Sequence, residues 1–344
     1  MSCKFATTSL YLLCLAAGSV IAVKNSATSI LADLIASRSS SSNSSIVKQF
    51  ERIIDGPEQR GANFQYQTNV DLIFAELQAN LLATNTANEF FHKASRFGLP
   101  STDNLLFRDN YILSFDNRLR HPNWVLEHLC DLKIKLMNAP RHPQHMFSPD
   151  KTLHEYFRTT NDDYKYCGYN RGHLSPVCNN RASATFVDQS FCLSNVAPQV
   201  NNLNQGFCPW SRLEKYVHYL IIQSKNTYII TGTLYLPEGA NPLDWRWGQK
   251  RTVSYRLVSS KRIGVPTHFY KVVLTESHSR QLTMEAFMIA NSATVSKGRK
   301  INRLRIDIDK QLPLVERAAG LNFFSFIDRS KVAKPDKLQF EYPD

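Results

Sequence analysis

Alternating apolar and polar positions divide the chain after residue 100 into a series of short strands. Six segments combine a period-two pattern with the β-branched and aromatic residues that favour strands. They are Tyr111 to Phe115, Trp124 to Leu129, Thr227 to Tyr235, Thr252 to Val258, His268 to Thr275 and Met284 to Ile289. Turn-forming residues separate the first two strands, at 116–118 and at His121–Pro122.

Other segments have helical spacing. From Trp210 to Gln223 the apolar residues fall at 210, 213, 217, 220 and 221, and Pro209 suits the first turn of such a helix. Leu314 to Ala319 predicts another helix, and residues 59–87 have a mainly helical pattern without candidate chemistry. Together these elements predict an α+β fold, with a mixed, largely antiparallel central sheet flanked by helices.

The first fifty or so residues differ in composition from the rest. Lys4 precedes an apolar run from Leu10 to Val23, Asp33 is the first acidic residue, and serines dominate residues 37–45. This composition indicates a targeting leader and a Ser-rich linker, and it fits either a mitochondrial or a secretory address. The apolar run is shorter than the about 20 residues of a membrane span, so at most a loose membrane association is expected of it.

The charge balance favours polyanionic partners. The chain has a formal net charge of +12 and a pI of about 9.4, with 43% apolar residues. Such a charge speeds encounter with nucleic acid, although simple solubility or an import-related bias explains it equally well. The seven cysteines lack the paired short spacings of a zinc site, so buried thiols are favoured over metal ligands.

One stretch, residues 168–214, concentrates the candidate chemistry. Arg171 and His173 flank a glycine, and in an extended segment both would project to the same face. A guanidinium beside an imidazole suits a phosphodiester, because one holds the phosphate and the other takes a proton from water. Asn204 offers a neutral oxygen and Glu214 an anionic one, and such few-ligand oxygen sites suit Mg²⁺.

The order of these residues resembles the DNA/RNA non-specific endonucleases with a ββα-metal site, and most closely their mitochondrial endonuclease G branch. The family signature Asp-Arg-Gly-His-Leu appears here as Asn170 to Leu174. Several ordered motifs between about residues 90 and 325 are more specific than any single one. Those after the signature are Ser194 to Gln199, Leu203 to Gln205 and Arg212 to Glu214, and the segment Arg158 to Tyr164 precedes it.

The resemblance implies a role for each site residue. His173 is expected to act as general base, Arg171 and Arg158 to hold the phosphate, and Asn195 to orient the site. Asn204 is expected to bind Mg²⁺ or Mn²⁺ directly, and Glu214 through water. The implied substrates are DNA and RNA, and the implied assembly is a homodimer in the mitochondrion.

The resemblance also implies the domain organisation. A targeting leader and linker at 1–50 precede a helical N-terminal extension at 51–89. The endonuclease domain is expected at 90–330, with a C-terminal tail at 331–344.

Two departures from the family pattern leave alternatives open. Asn170 replaces the family aspartate, which removes a negative charge near the expected metal. Relatives place a tryptophan four residues after the metal asparagine, whereas Asn204 and Trp210 are six apart. An active nuclease, a catalytically degenerate protein that binds nucleic acid or a nuclease partner, and a secreted digestive nuclease all remain compatible with the sequence.

Overall fold

A seven-stranded, entirely antiparallel sheet forms the centre of the fold. The computed structural model describes residues 87–130, 133, 139, 146–204, 208–238, 243, 250–295 and 300–335. All of these lie in one unit, Ala75–Asp344. The targeting leader, the Ser-rich linker and all but the end of the expected extension at 51–89 lie outside the described residues.

The described strands are numbered in chain order. They are β1 Leu105–Phe107, β2 Tyr111–Asp116, β3 His121–Cys130, β4 Asn170–His173, β5 Val196–Gln199, β6 Asn226–Leu234, β7 Leu257–Val258, β8 Ile263–Gly264, β9 His268–Glu276, β10 Leu282–Ala290 and β11 Arg305–Ile306. The central sheet has the order β1-β2-β3-β6-β9-β10-β11, and β4-β5 and β7-β8 form two separate pairs.

Helices pack on both faces of this sheet. They are α1 Ala87–Ala94, α2 Asn161–Tyr164, α3 Ala184–Ser190, α4 Asn201–Asn204, α5 Pro209–Gln223 and α6 Leu312–Ala319. Alternate residues of each strand enter different cores: Leu113 contributes to the core shared with α5, and Ile112 to the core shared with α1 and α6. The α+β architecture with a largely antiparallel sheet is therefore confirmed.

Most of the predicted strands are present, but two details of the prediction are wrong. His121 and Pro122 do not form a turn; they begin β3, and a bulge at Asn123 shifts the register between Ser114 and Phe115. A bulge is one of the few places where a sheet accommodates proline. The strand expected from Thr252 to Val258 is reduced to β7, because its residues find only the two of β8 to pair with.

His128 is a buried imidazole in the middle of the sheet. It is 6% exposed, its ring stacks on Tyr228 with centroids 4.6 Å apart, and its Nε2 lies 3.0 Å from the Asn226 Oδ1. Burial and, to a smaller extent, the charge of Lys133 lower the pKa of His128 to about 3, against the opposing effect of the Asn226 hydrogen bond. The folded protein therefore holds this histidine neutral.

We expect the free energy of unfolding to fall as the pH drops from 6.5 towards 3. In that range the unfolded chain binds a proton at His128 and the folded chain does not, so protonation favours unfolding by about 1.4 kcal/mol per pH unit. Between pH 6.5 and 4.5 this amounts to about 2–3 kcal/mol. Urea denaturation at a series of pH values measures it.

His128→Phe should remove this part of the pH dependence, whatever its effect on stability at neutral pH. The exposed His154 provides the matched control, since His154→Phe should leave the dependence as in the parent chain. Equal pH dependence in the parent and His128→Phe would contradict the assignment.

Candidate active site

The site begins with the short antiparallel pair β4-β5. In its register His173 faces Val196, Gly172 faces Ala197 and Arg171 faces Pro198. A Cβ atom on Gly172 would lie 2.5 Å from the Gln199 Oε1 and 2.8 Å from the Gln199 Cβ. Glycine is therefore required here for space, because any side chain would collide with the strand neighbour.

Arg171 and His173 both contact the ring of Phe147. The Arg171 Cζ lies 4.6 Å from the ring centroid, and the imidazole centroid of His173 lies 4.9 Å from it. The Arg171 Nη1 donates to the Asn161 Oδ1 at 2.5 Å, and the Asn161 Nδ2 donates to the backbone oxygen of Phe147 at 2.6 Å. The extended strand thus places the guanidinium and the imidazole on one face, as the alternation of side chains predicts. The Phe147 ring contacts both groups, and the Asn161 amide holds the guanidinium.

Asn195 is fully buried and all its described hydrogen bonds go to backbone. Its Oδ1 accepts from the Ser175 N–H, and its Nδ2 donates to the Ser175 and Ser190 oxygens at 2.9 and 2.8 Å. Its own backbone oxygen accepts from the Leu174 N–H. Asn195 therefore fixes the two residues that follow His173.

Arg158 fixes a neighbouring loop through backbone oxygens. Its Nε donates to the Asp150 oxygen at 3.0 Å, and its Nη2 donates to those of Leu153 and Lys151 at 2.7 and 3.3 Å. Two nitrogens of the Arg158 guanidinium thus already donate hydrogen bonds to backbone oxygens. The phosphate contact expected of Arg158 would come from this same group. A salt bridge to Asp162 or Asp163 is not among the hydrogen bonds described for Arg158.

The two-residue insertion ends in a well-formed helix start. Cys208 is the N-cap of α5, its Sγ accepts from the Ser211 N–H at 3.3 Å, and Pro209 occupies the first turn. Proline at this position costs no hydrogen bond, because the first N–H groups of a helix have no partner within it. Helix α4, which ends at Asn204, lies against both β4 and α5, so the backbone of Asn204 is close to the strand of His173.

Glu214 lies half-buried on α5, one turn after Trp210. Burial raises the pKa of Glu214 to about 7, while the positive charge of Lys271 and a hydrogen bond from the Trp210 indole lower it and the charge of Glu127 raises it. A carboxylate with this pKa gains more than an exposed one from a cation placed beside it.

Two buried charges beneath Glu214 had no counterpart in the sequence interpretation. Lys271 is 1% exposed; its Nζ donates to the Thr231 Oγ1 at 2.5 Å and lies 5.2 Å from the Trp210 ring centroid. Glu127 is fully buried, and its Oε1 accepts from the Ser175 Oγ at 2.9 Å and the Asn179 Nδ2 at 3.1 Å.

The opposite charges of Glu127 and Lys271 each offset part of the cost of burying the other. Burial raises the pKa of Glu127 and the charge of Lys271 lowers it; burial lowers the pKa of Lys271, and the charges of Glu127 and Glu214 raise it. Lys271 thus connects the helix of Glu214 with the segment after His173 through electrostatics. The only sequence signal is a charged residue in the interior of each of two apolar strands, Glu127 in β3 and Lys271 in β9.

With this geometry in place, the family can be assigned. A family model described as DNA/RNA non-specific endonuclease matches residues 91–330. The chain belongs to this family. Every site residue discussed above lies within the matched range, and the resemblance that the sequence motifs carry is confirmed.

Named relatives agree with the assignment. The chain is 35% identical to human "Endonuclease G, mitochondrial" over 229 residues, which covers 67% of this chain and 72% of the relative. It is 33% identical to the Caenorhabditis elegans protein of that name, covering 76% and 79%, and 32% identical to "Nuclease EXOG, mitochondrial" of Danio rerio, covering 73% and 69%.

A solved structure shows the same fold. It is a chain from a crystal structure titled as the EndoG/EndoGI complex and the mechanism of EndoG inhibition. The similarity has a TM-score of 0.64 at 34% identity and covers 71% of this chain and 95% of that one.

The carboxylate of Glu214 is an oxygen donor of the kind that a hard cation accepts, as the family resemblance implies. Within the described ranges, no three His, Cys, Asp or Glu residues cluster closely enough to hold a metal by themselves. The five cysteines at 130, 167, 178, 192 and 208 are free thiols. A half-buried carboxylate beside an asparagine-bearing helix suits an ion that keeps most of its waters, such as Mg²⁺.

We expect Lys271→Met to lower the free energy of unfolding by about 3–5 kcal/mol, because it leaves the buried Glu127 carboxylate without its cation. Adding Glu127→Gln should recover part of this loss. The double variant should therefore cost at least about 1 kcal/mol less than the sum of the single variants, as measured by chemical denaturation.

Lys225→Met is the matched control, since Lys225 is exposed, and it should change stability by less than about 0.5 kcal/mol. Additive losses in the cycle would show that Glu127 and Lys271 do not interact.

Proposed function

We propose that this protein is a metal-dependent endonuclease that hydrolyses phosphodiester bonds of DNA and RNA with little sequence preference. The observation that carries the proposal is the joint placement of Arg171 and His173 against Phe147, within a family of non-specific endonucleases. Weak sequence preference follows because these groups suit the phosphate backbone, which carries no direct sequence information.

In this proposal His173 takes the proton of the attacking water, and Arg171 holds the oxygens of the scissile phosphate. Contacts with Phe147 and Phe191, whose ring centroid lies 5.2 Å from that of His173, hold the imidazole plane. The Asn161 amide that accepts from Arg171 is uncharged, so this hydrogen bond does not offset the positive charge that would attract the substrate phosphate. Asn195 is a positioning residue, because it orders the backbone that follows His173.

Asn204 and Glu214 would hold Mg²⁺ or Mn²⁺, Asn204 directly and Glu214 through water. When bound, such an ion neutralises charge that develops on the phosphate and on the leaving oxygen. Lys271 and the Trp210 indole stabilise the charged form of Glu214 from beneath, so that the carboxylate is available to the ion's water shell. Arg158 would assist Arg171 at the phosphate, and its hydrogen bonds to the backbone oxygens of Asp150 and Leu153 order the loop at 150–153.

A second candidate function rests on Asn170. This residue replaces the aspartate of the family signature at the start of β4 and lacks its charge. A weaker negative potential near the metal would lower activity, and in the limit the protein would bind nucleic acid or a nuclease partner without cutting.

We also propose a mitochondrial location and a homodimer. The acid-poor leader and the word mitochondrial in the relatives' names support the location. The homodimer rests on the family resemblance alone. No helix in the described part of the chain is long and apolar enough to cross a membrane, and the apolar run at 10–23 lies outside that part.

We expect the purified protein to degrade plasmid DNA and RNA with Mg²⁺ or Mn²⁺ and to stop in chelator. His173→Ala should reduce the rate by about 10²- to 10⁴-fold, which is the usual cost of losing a general base. Asn170→Asp should raise the rate, because it returns a carboxylate to the metal's surroundings. Initial rates from gel or fluorescence assays measure both effects.

His92→Ala on the exposed side of α1 is the control and should leave the rate unchanged. A parent chain that is inert while Asn170→Asp cuts would support the degenerate binder. If the parent chain and Asn170→Asp are both inert, and remain inert after removal of two residues between Gly206 and Trp210, the proposal of an active enzyme is refuted.

Residues 1–60 fused to a fluorescent protein should direct it to mitochondria, because the leader has no acidic residue before Asp33. Microscopy of cells with a mitochondrial stain measures this. The same fusion without residues 1–33 should stay diffuse. Accumulation in the secretory pathway or the medium would favour the secreted alternative.

A further inference from the structure

Residues 250–264 form a largely exposed segment that ends in the β7-β8 hairpin and carries an unbalanced positive charge, and we call this segment the basic ribbon. The chain has no acidic residue between Asp244 and Glu276. The ribbon alone has five cations, and of these Lys250, Arg256 and Arg262 are exposed. The five are Lys250, Arg251, Arg256, Lys261 and Arg262. Solvated surfaces usually intersperse both signs of charge, so a ribbon of one sign indicates an anionic partner.

Backbone hydrogen bonds give the ribbon a defined shape. Leu257 and Val258 pair with Gly264 and Ile263, and the Val265 N–H donates to the Arg256 oxygen at 2.9 Å. The turn closes through the Arg262 N–H, which donates to the Ser259 oxygen at 3.1 Å, and both of these residues have positive φ, near 60°. The arginines at 256 and 262 are therefore presented by an ordered scaffold.

The base of the ribbon is attached to the central sheet. The Gly264 N–H donates to the Leu119 oxygen at 3.0 Å, and a Cβ on Gly264 would lie 2.7 Å from side-chain atoms of both Leu119 and Tyr235. The Tyr255 ring packs edge-on against Tyr235, with centroids 4.6 Å apart. These contacts leave little room for the ribbon to move relative to the sheet.

The ribbon also adjoins the candidate active site. Ile263 and Val258 pack with Val196, the strand partner of His173, in one apolar cluster. Phe147 packs against the same cluster, and its ring contacts both His173 and Arg171. On the outer side the Lys261 Nζ donates to the Glu155 oxygen at 3.2 Å. A polyanion bound at Arg171 would therefore have the ribbon beside it.

We propose that the basic ribbon binds the sugar–phosphate backbone of the nucleic acid substrate beyond the bond that is cut, through Arg256 and Arg262. The inference rests on the proposed function, since it names how the same site holds a long strand. Arginine suits this role because its planar fork matches phosphate oxygens. Self-association through the ribbon is disfavoured, because a twofold contact of this kind would bring like charges together.

The test compares two charge-matched double variants, each made in the full chain with His173→Ala to prevent cleavage. Arg256→Gln/Arg262→Gln removes two cations from the ribbon. Lys310→Gln/Arg317→Gln removes two exposed cations near and on α6, which packs on the other face of the sheet. Fluorescence anisotropy then measures the affinity for a labelled single-stranded DNA oligonucleotide at several salt concentrations.

The ribbon variant should lower the dependence of log K on log salt by about 1.4, because each lost phosphate contact on a single strand removes about 0.7. Extrapolated over the decade from 1 M to 0.1 M salt, this is an affinity loss of about 25-fold at 0.1 M. The control variant should keep the slope of the parent. Equal slopes for parent and ribbon variant would overturn the inference.

A second measurement separates this inference from the proposed function. With His173 intact, the ribbon variant should cleave the small phosphodiester bis(p-nitrophenyl) phosphate at the parent rate, but should cut long DNA with a raised KM. If the parent cleaves both substrates and the ribbon variant does the same with unchanged KM, the ribbon inference fails and the nuclease assignment stands.

If the parent cleaves neither substrate, the proposed enzyme fails, and the salt slopes alone decide whether the ribbon binds nucleic acid. Analytical ultracentrifugation gives the remaining outcome. A change from dimer to monomer in the ribbon variant, with an unchanged salt slope, would show that the ribbon contacts a second copy of the chain and would overturn the inference.

Discussion

The ammonium group of Lys271 is the constraint around which the site is built. It lies inside β9, where a charge without a partner would cost several kcal/mol. Glu127 from β3 and Glu214 from α5 supply the opposite charge, so α5 must pack where its Trp210 and Glu214 reach Lys271. Glu127 in turn accepts from the Ser175 Oγ, two residues after His173. One buried cation thereby relates the carboxylate on the helix to the imidazole on β4.

The remaining contacts act on the orientation of the reacting groups. The side-chain amide of Asn195 donates to backbone oxygens, and that of Asn161 accepts from the Arg171 guanidinium. The ring of Phe147 contacts both Arg171 and His173. Contacts of this type keep reacting groups near a productive geometry, and small displacements are costly in rate. Under the proposed function few side chains would touch the substrate, and Asn161, Asn195 and Phe147 would support them.

The sequence predicts the long elements better than the supporting ones. Strands such as β6 and β9 are buried on both faces, and α5 has a continuous apolar stripe. Their apolar patterns can therefore be recognised from the sequence of each segment alone. The edge strands β1 and β11 have only three and two residues and escape pattern recognition. Residues 252–256 have the strand pattern, but among the described residues no strand pairs with them. Pairing of this kind depends on the tertiary structure and cannot be read from the local pattern.

The same distinction applies to the candidate site. Motif order proposes Arg171, His173 and Glu214 as site residues, because these residues lie close together in the sequence. Lys271 and Glu127 lie on distant strands, and nothing near them in the sequence indicates that their charges meet. The hydrogen bonds of Arg158 could not be predicted either, since its acceptors are backbone oxygens, which every residue has.

The capped start of α5 bears on how this chain diverged from its relatives. Cys208 and Pro209 fix where the helix begins, and Trp210 and Glu214 follow at their usual separation of one turn. The cap and the apolar stripe of α5 therefore set which helix face meets the sheet. A segment that precedes a firmly capped helix can change in length without turning that helix, which makes this junction permissive for insertion within an otherwise constrained centre.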